Sequence, residues 1–170
     1  CAGMKNALRV ITDMHEDWAR RFGEGHRFAP LVEEYQLDDA EYAIMTLGSM
    51  TGAAKDAIDE ARAAGEKVGL IKIKTFSPFP VEALKHALRD VRALGVVDRS
   101  VNFRWNCGPM FQETLGVLYR LGRQLPAQSF IGGLAGADLT VATFHRVIAE
   151  TRALLERPAA DEPVWLNAKD

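Results

Sequence analysis

The stretch TLGSMTGAAKDAIDE, residues 46–60, runs from an apolar segment through a glycine turn into an alanine-rich helix. A turn of that shape can hold a phosphate, because the free N–H groups at a helix N-terminus and the positive end of its dipole attract anions. Ser49 and Thr51 would add hydroxyl donors. The spacing argues against a nucleotide loop. A Walker loop needs G-x-x-x-x-G-K-[ST], so that successive N–H groups wrap the phosphates while Lys and a hydroxyl reach the outer phosphate and its magnesium. Here Gly48 and Gly52 stand four apart and Ala-Ala-Lys follows, which also fails the dinucleotide pattern G-x-G-x-x-G. Two readings stay open: an anion cradle, or a corner whose glycines permit a tight turn and close strand–helix packing.

A second group of reactive side chains lies in DRSVNFRWNCGP, residues 98–109. It follows an apolar run, and the loops after such strands are where α/β folds place ligand-binding groups. Arg99, Asn102, Arg104, Asn106 and Cys107 offer donors to an anion or a partner carboxylate, and Phe103 and Trp105 offer area to a second protein surface. The alternative is a long loop closed by Gly108-Pro109, with its aromatics turned inward. Cys107 would need a base to act as a nucleophile, and His15, His26, His86 and His145 are all distant in sequence. His86 and His145 fall inside amphipathic helices, where a structural role is expected. The acidic pairs Glu33-Glu34 and Asp38-Asp39 border a linker and are read as solvated. On the residues alone no catalytic set is assigned, no cofactor-binding set, and no metal-ligand set.

The elements that would carry these groups follow a regular alternation. Apolar runs at 42–48, 67–76, 93–99 and 127–133 are each followed by a helical pattern, at about 50–65, 80–90, 109–123 and 139–157. Strands alternating with helices imply crossover connections and a mainly parallel sheet covered on both faces. Pro80 suits a first helical turn, Asp138 or Thr140 is a candidate N-cap, and SPFP at 77–80 demands extended backbone. Ahead of this core, Leu8, Ile11, Met14, His15, Trp18 and Phe22 recur at spacings of three and four and give residues 4–22 an apolar helical face. Residues 23–40 read as a linker with one short helical turn at LVEEYQ. The tail RPAADEPVWLNAKD shows no periodicity and is expected either to lie across a neighbour, anchored by Trp165 and Leu166, or to fray as a terminus.

Composition bounds the class. A chain of 170 residues, 48% hydrophobic and 26% charged, is long enough to bury one substantial core. Its net charge of −2, with bases and acids interspersed, gives no electrostatic footprint for nucleic acid. No apolar run reaches the roughly 18–20 residues that span a bilayer. Two cysteines, Cys1 and Cys107, supply neither a disulfide framework nor paired metal-ligand spacing, which suits a reducing cytoplasmic compartment. The chain opens Cys-Ala-Gly with no signal-peptide pattern and is read as a piece of a longer polypeptide.

Taken together, EEYQLDDAEYAIMTLGSMTGAAKDAIDEARAAGEKVGLIKIKTFSPFPVEALKHAL, then VVDRS, then FIGGLAGADLT resemble the domain that follows the pyrimidine-binding domain in the α-subunit of thiamine-diphosphate-dependent 2-oxoacid:acceptor oxidoreductases, the pyruvate:ferredoxin oxidoreductase family. The resemblance covers about residues 31–150. It implies a transketolase C-terminal-like, three-layer α/β fold with a mainly parallel sheet and helices on both faces. It divides the chain into residues 1–30, a helix and linker belonging to a preceding pyrimidine-binding domain; residues 31–157, the transketolase C-terminal-like domain; and residues 158–170, an extended tail.

It also implies a complex that oxidatively decarboxylates a 2-oxoacid with thiamine diphosphate and Mg²⁺. Electrons pass through iron–sulfur clusters to ferredoxin or another acceptor, and the acyl group usually ends on coenzyme A. This chain has no G-D-G segment for magnesium diphosphate and no C-x-x-C-x-x-C run for a cluster, so none of these cofactors is expected to be held by it. Its partners are then the thiamine-diphosphate-binding and ferredoxin-like cluster subunits of a dimer of heteromers. Where many relatives are glycine-rich, VNFRWNCGP carries aromatics and asparagines, a departure that points to a bulkier substrate such as an aryl 2-oxoacid of the phenylglyoxylate type. The leading expectation is a non-catalytic structural and docking domain. The alternative is a stand-alone flavodoxin-like module that binds a small molecule or anion at Gly48–Gly52.

Overall fold

Along Tyr42–Leu47 (β2) successive side chains point to opposite faces, and both faces are apolar, so the strand must be covered on both sides. In a computed structural model of the chain, which describes residues 2–26 and 28–167, this is how the core divides. Tyr42 and Ile44 join Leu70, Val97 and Phe130 beneath helices Thr51–Ala63 (α2) and Val141–Ala153 (α5). Ala43 and Met45 join Ile71, Leu94 and Val96 beneath Val81–Ala87 (α3) and Pro109–Arg120 (α4). The remaining strands are Val32–Tyr35 (β1), Val68–Ile73 (β3), Ala93–Asp98 (β4), Ala127–Ile131 (β5) and Val164–Trp165 (β6). They form one six-stranded sheet in the order β1-β3-β2-β4-β5-β6, parallel throughout except that β1 runs antiparallel to β3. The expected three layers are present.

Two segments differ from the sequence reading. LVEEYQ holds no helical turn; it supplies β1, whose Glu33 lies opposite Lys72 on β3. Alternation hid it, because Glu33 and Glu34 look solvated, yet Glu33 sits 2.5 Å from the Lys55 ammonium and 4.0 Å from that of Lys72. The hydrogen bond from Lys55 holds the Glu33 carboxyl below its ordinary range, and a hydrogen bond from Arg62 does the same for Asp39. The second difference is the tail, which the sequence left without an element of its own and which adds a strand to the sheet. Buried Gln128 donates to the Glu162 carbonyl at 2.9 Å and accepts from the Ala160 N–H at 2.8 Å. Leu166 donates to the Ile131 carbonyl at 2.9 Å, which completes β6.

Helix Ala2–Phe22 (α1) carries the expected apolar face but covers only part of it. Ala19 is buried and Leu8, Ile11 and His15 are half-buried, while Met14, Trp18 and Phe22 remain 62, 50 and 55% exposed. Trp18 and Phe22 stack with ring centroids 4.2 Å apart. At the start of α5, Thr140 rather than Asp138 is the cap: its hydroxyl accepts from the Thr143 N–H, and Thr143 returns the bond to the Thr140 N–H. No helix among the described residues is long and apolar enough to cross a membrane.

Candidate functional site

The strand order reverses direction between β2 and β4, and in open parallel sheets the crevice outside the carboxyl ends at such a point is the favoured ligand site. Both sequence candidates converge there. The turn after β2 occupies one side and the 98–109 loop after β4 the other.

On the β2 side the structure favours the corner. Gly48 has φ +76°, a left-handed value that suits glycine, and starts a short 3₁₀ turn that leads straight into α2. The Thr51 N–H is used inside that turn, bonded to the Gly48 and Ser49 carbonyls. Its hydroxyl is buried against the Thr46 hydroxyl at 2.9 Å, so only Ser49 of the two expected hydroxyl donors faces outward. Gly52 has open space around its Cα and serves no close packing.

On the β4 side the organising group is one the sequence reading passed over. Asp98 is the last residue of a fully buried strand, and its carboxylate accepts from the Met110 N–H at 2.9 Å and the Phe111 N–H at 3.1 Å. Helix α4 begins Gly108-Pro109 with no side-chain cap of its own, so Asp98 satisfies its first N–H groups from across the loop. Burial pushes the Asp98 carboxyl up to about 6 despite those two donors. A Cβ on Gly108 would lie 1.9 Å from the Asp98 carboxylate, so glycine is required for the close approach. The signal was present in sequence: a charged residue closing the run ALGVVD, ahead of a helix whose Gly-Pro start cannot cap itself.

The rest of the loop is held as firmly. Arg99 donates to the Gly133 carbonyl at 3.2 and 3.4 Å, latching the β4 loop to the β5 loop instead of waiting for an anion. Asn102 and Cys107 form an antiparallel bridge. The Asn102 amide donates to Gln112 on α4 at 2.5 Å, and that of Asn106 donates to Glu162 on the tail. Cys107 is buried, and burial together with the Asp98 charge pushes its thiol up, the opposite of an activated nucleophile. The histidines have other partners: His15 pairs with the Ile11 carbonyl, His86 with Arg89, and His145 with Glu60. Cys1 and the side chain of His26 lie outside the described residues. The inward-turned alternative for the aromatics fails, since Phe103 is 88% and Trp105 64% exposed.

What this loop displays is therefore exposed aromatic area rather than activated reactive groups. Residues 40–144 match the family described as pyruvate:ferredoxin oxidoreductase core domain II. The chain belongs to this family. Over its whole length it is 74% identical to the α subunit of the NADH-dependent phenylglyoxylate dehydrogenase of Aromatoleum evansii, covering 40% of that subunit. It is 32% identical to pyruvate synthase subunit PorA of Methanosarcina barkeri and to ketoisovalerate oxidoreductase subunit VorA of Pyrococcus abyssi, over 98 and 97% of the chain and 41% of each relative. The chain thus spans about two fifths of the length of the curated relatives it matches.

Among solved structures, a 2-oxoglutarate:ferredoxin oxidoreductase from Magnetococcus marinus superposes with a TM-score of 0.53 at 22% identity, over 73% of this chain and 20% of that one. A split-gene transketolase gives 0.60 at 18%, over 77 and 44%. These two show the fold, the three-layer transketolase-like α/β arrangement.

Membership in the core domain II family, with relatives that are oxidoreductase subunits, fits the docking-domain expectation and not the stand-alone flavodoxin-like module. Of the groups implied by the resemblance, an iron–sulfur cluster does not fit the described side chains. Among the described residues no three His, Cys, Asp or Glu side chains converge on a metal position, and Cys107 is the one cysteine, whereas a cluster takes four thiolates.

Proposed function

We propose that this chain is a structural and docking part of the α subunit of a thiamine-diphosphate-dependent 2-oxoacid oxidoreductase whose substrate is an aryl 2-oxoacid of the phenylglyoxylate type. The observation that carries it is the 74% identity across the full chain to a phenylglyoxylate dehydrogenase α subunit, against 32% to the pyruvate and ketoisovalerate relatives. In the reaction, the 2-oxoacid carboxylate leaves as carbon dioxide and the acyl carbon bonds to the sulfur of coenzyme A. One proton and two electrons are released, the electrons to ferredoxin or to nicotinamide. Thiamine diphosphate, Mg²⁺ and iron–sulfur clusters supply that chemistry from other segments and subunits of a cytoplasmic complex built as a dimer of heteromers.

The role of this chain is to hold those parts in place. On this reading residues 1–30 bracket the preceding pyrimidine-binding domain, residues 31–157 are the transketolase C-terminal-like domain and residues 158–170 its C-terminal tail. Helix α1 supports the bracket reading: on its apolar face Ala19 is buried while Met14 and Trp18 stand exposed, as suits a helix with apolar area left for a second body. The test is the full-length subunit assembled with its partner subunits and offered phenylglyoxylate, pyruvate, ketoisovalerate and 2-oxoglutarate with coenzyme A. Phenylglyoxylate should give the highest kcat/KM. A higher value for any aliphatic 2-oxoacid overturns the substrate assignment, and no activity on any 2-oxoacid overturns the function.

A further inference from the structure

We propose that the Asn102–Cys107 hairpin is a preformed anchor, which inserts Phe103, Arg104 and Trp105 into an apolar, carboxylate-rimmed pocket on a separate subunit. The existence of such a subunit rests on the function proposed above; the anchor itself rests on geometry. The backbone of the hairpin is fixed wholly by its own domain. Asn102 donates its N–H to the Cys107 carbonyl at 2.8 Å and accepts the Trp105 N–H at 3.1 Å, while its side-chain oxygen accepts the Arg104 N–H at 3.1 Å. Asn106 takes φ +46°, a left-handed value that asparagine tolerates. The bonds from Asn102 to α4 and from Asn106 to the tail brace both legs, and Cys107 is buried at the base.

This bracing leaves the three side chains at the tip in water. Two large rings held open to solvent bring the domain no stability, since burial is what makes an aromatic stabilising. Trp and Arg, with a neighbouring aromatic, are the residue types that dominate binding at the centres of protein interfaces. Arg104 is the single charge between residues 100 and 108 and makes no ion pair with a described residue, so the complementary surface is acidic at its rim. A tip already ordered before contact has little conformational freedom left to lose on binding, which suits an encounter between separately folded chains.

The experiment uses the full-length α subunit and its partner subunits, with Trp105→Ala, Phe103→Ala and Arg104→Glu compared with the parent. Trp105→Ala should weaken association at least about 10-fold. Arg104→Glu should weaken it too and flatten its dependence on salt. The melting temperature of the α subunit by itself should move by no more than ~2 °C, as for exposed substitutions. Unchanged affinity in all three variants overturns the anchor. So does a clear fall in the melting temperature of the isolated subunit, which would place the tip against its own polypeptide. A raised KM for the 2-oxoacid at unchanged affinity also overturns it, since the tip would then touch substrate. Weakened association in an assembly that oxidises no 2-oxoacid removes the functional reading and leaves the anchor standing; a complex active on phenylglyoxylate and indifferent to the variants does the reverse.

Discussion

Asp98 shows how one buried carboxyl both builds and burdens the loop it organises. It closes the first turn of α4, yet its surroundings disfavour its charge. The consequence for stability has a definite sign. An ordinary unfolded carboxyl titrates near 3.8 and the folded one near 6, so between those values the folded state keeps a proton that the unfolded chain has released. The contribution of Asp98 is therefore fully present below about pH 3.8 and is lost as pH rises through 6. Glu33 and Asp39, whose carboxyls are held low, act in the opposite direction, adding stability that is lost as pH falls. Urea unfolding from pH 4 to 7 should separate the two effects. Relative to Asp98→Asn, the parent chain should lose stability from pH 4 to about 6 and level off above it, and parallel curves would show that Asp98 titrates normally. Neither candidate loop could be ranked from residue types alone, because Thr51 and Arg99 look like free donors until their partners Thr46 and Gly133 are placed.

At the level of elements, the four long parallel strands and the helices after them were legible because each is a continuous apolar run followed by a 3.6-residue pattern. The two outer strands were not. Glu33 and Glu34 make β1 look like a polar linker, and its pairing depends on cations contributed from α2 and β3, far along the chain. The two residues of β6 are too few for any periodicity, and their place is set by Gln128 and by the bond from Leu166 to Ile131. Close helix–sheet contact was equally silent in sequence. Gly95 lies under α5, where an added Cβ would sit 2.2 Å from the Thr151 hydroxyl and 3.1 Å from Phe130. Gly95→Ala should cost about 1–3 kcal/mol by forcing α5 away from β4. The midpoint of denaturant unfolding should fall at constant m-value, and an unchanged midpoint would mean that the helix shifts freely.

At the level of the whole molecule, large apolar side chains remain uncovered on three sides: Met14 and Trp18 on α1, Phe103 and Trp105 at the hairpin tip, and Leu115 and Tyr119 on α4. Monomeric proteins seldom leave several such patches bare. Of these, the α1 pair is the patch that the proposed bracket to a preceding domain would cover. Replacing Met14 and Trp18 together by Ser should leave the unfolding free energy of this 170-residue chain within about 1 kcal/mol of its parent value, because the two side chains are half or more exposed. The same pair in the full-length subunit should lower its stability by several times that amount. Equal effects in the two settings would mean that α1 is covered by nothing further.

The sheet is bordered by a four-residue strand carrying two glutamates and by a two-residue strand that follows Pro163. Unpaired backbone at a sheet border is what recruits foreign strands, and short, charged or proline-flanked borders discourage it. Fibril-like lateral growth therefore has little to start from, and neither border offers a long ribbon on which a foreign strand could be laid.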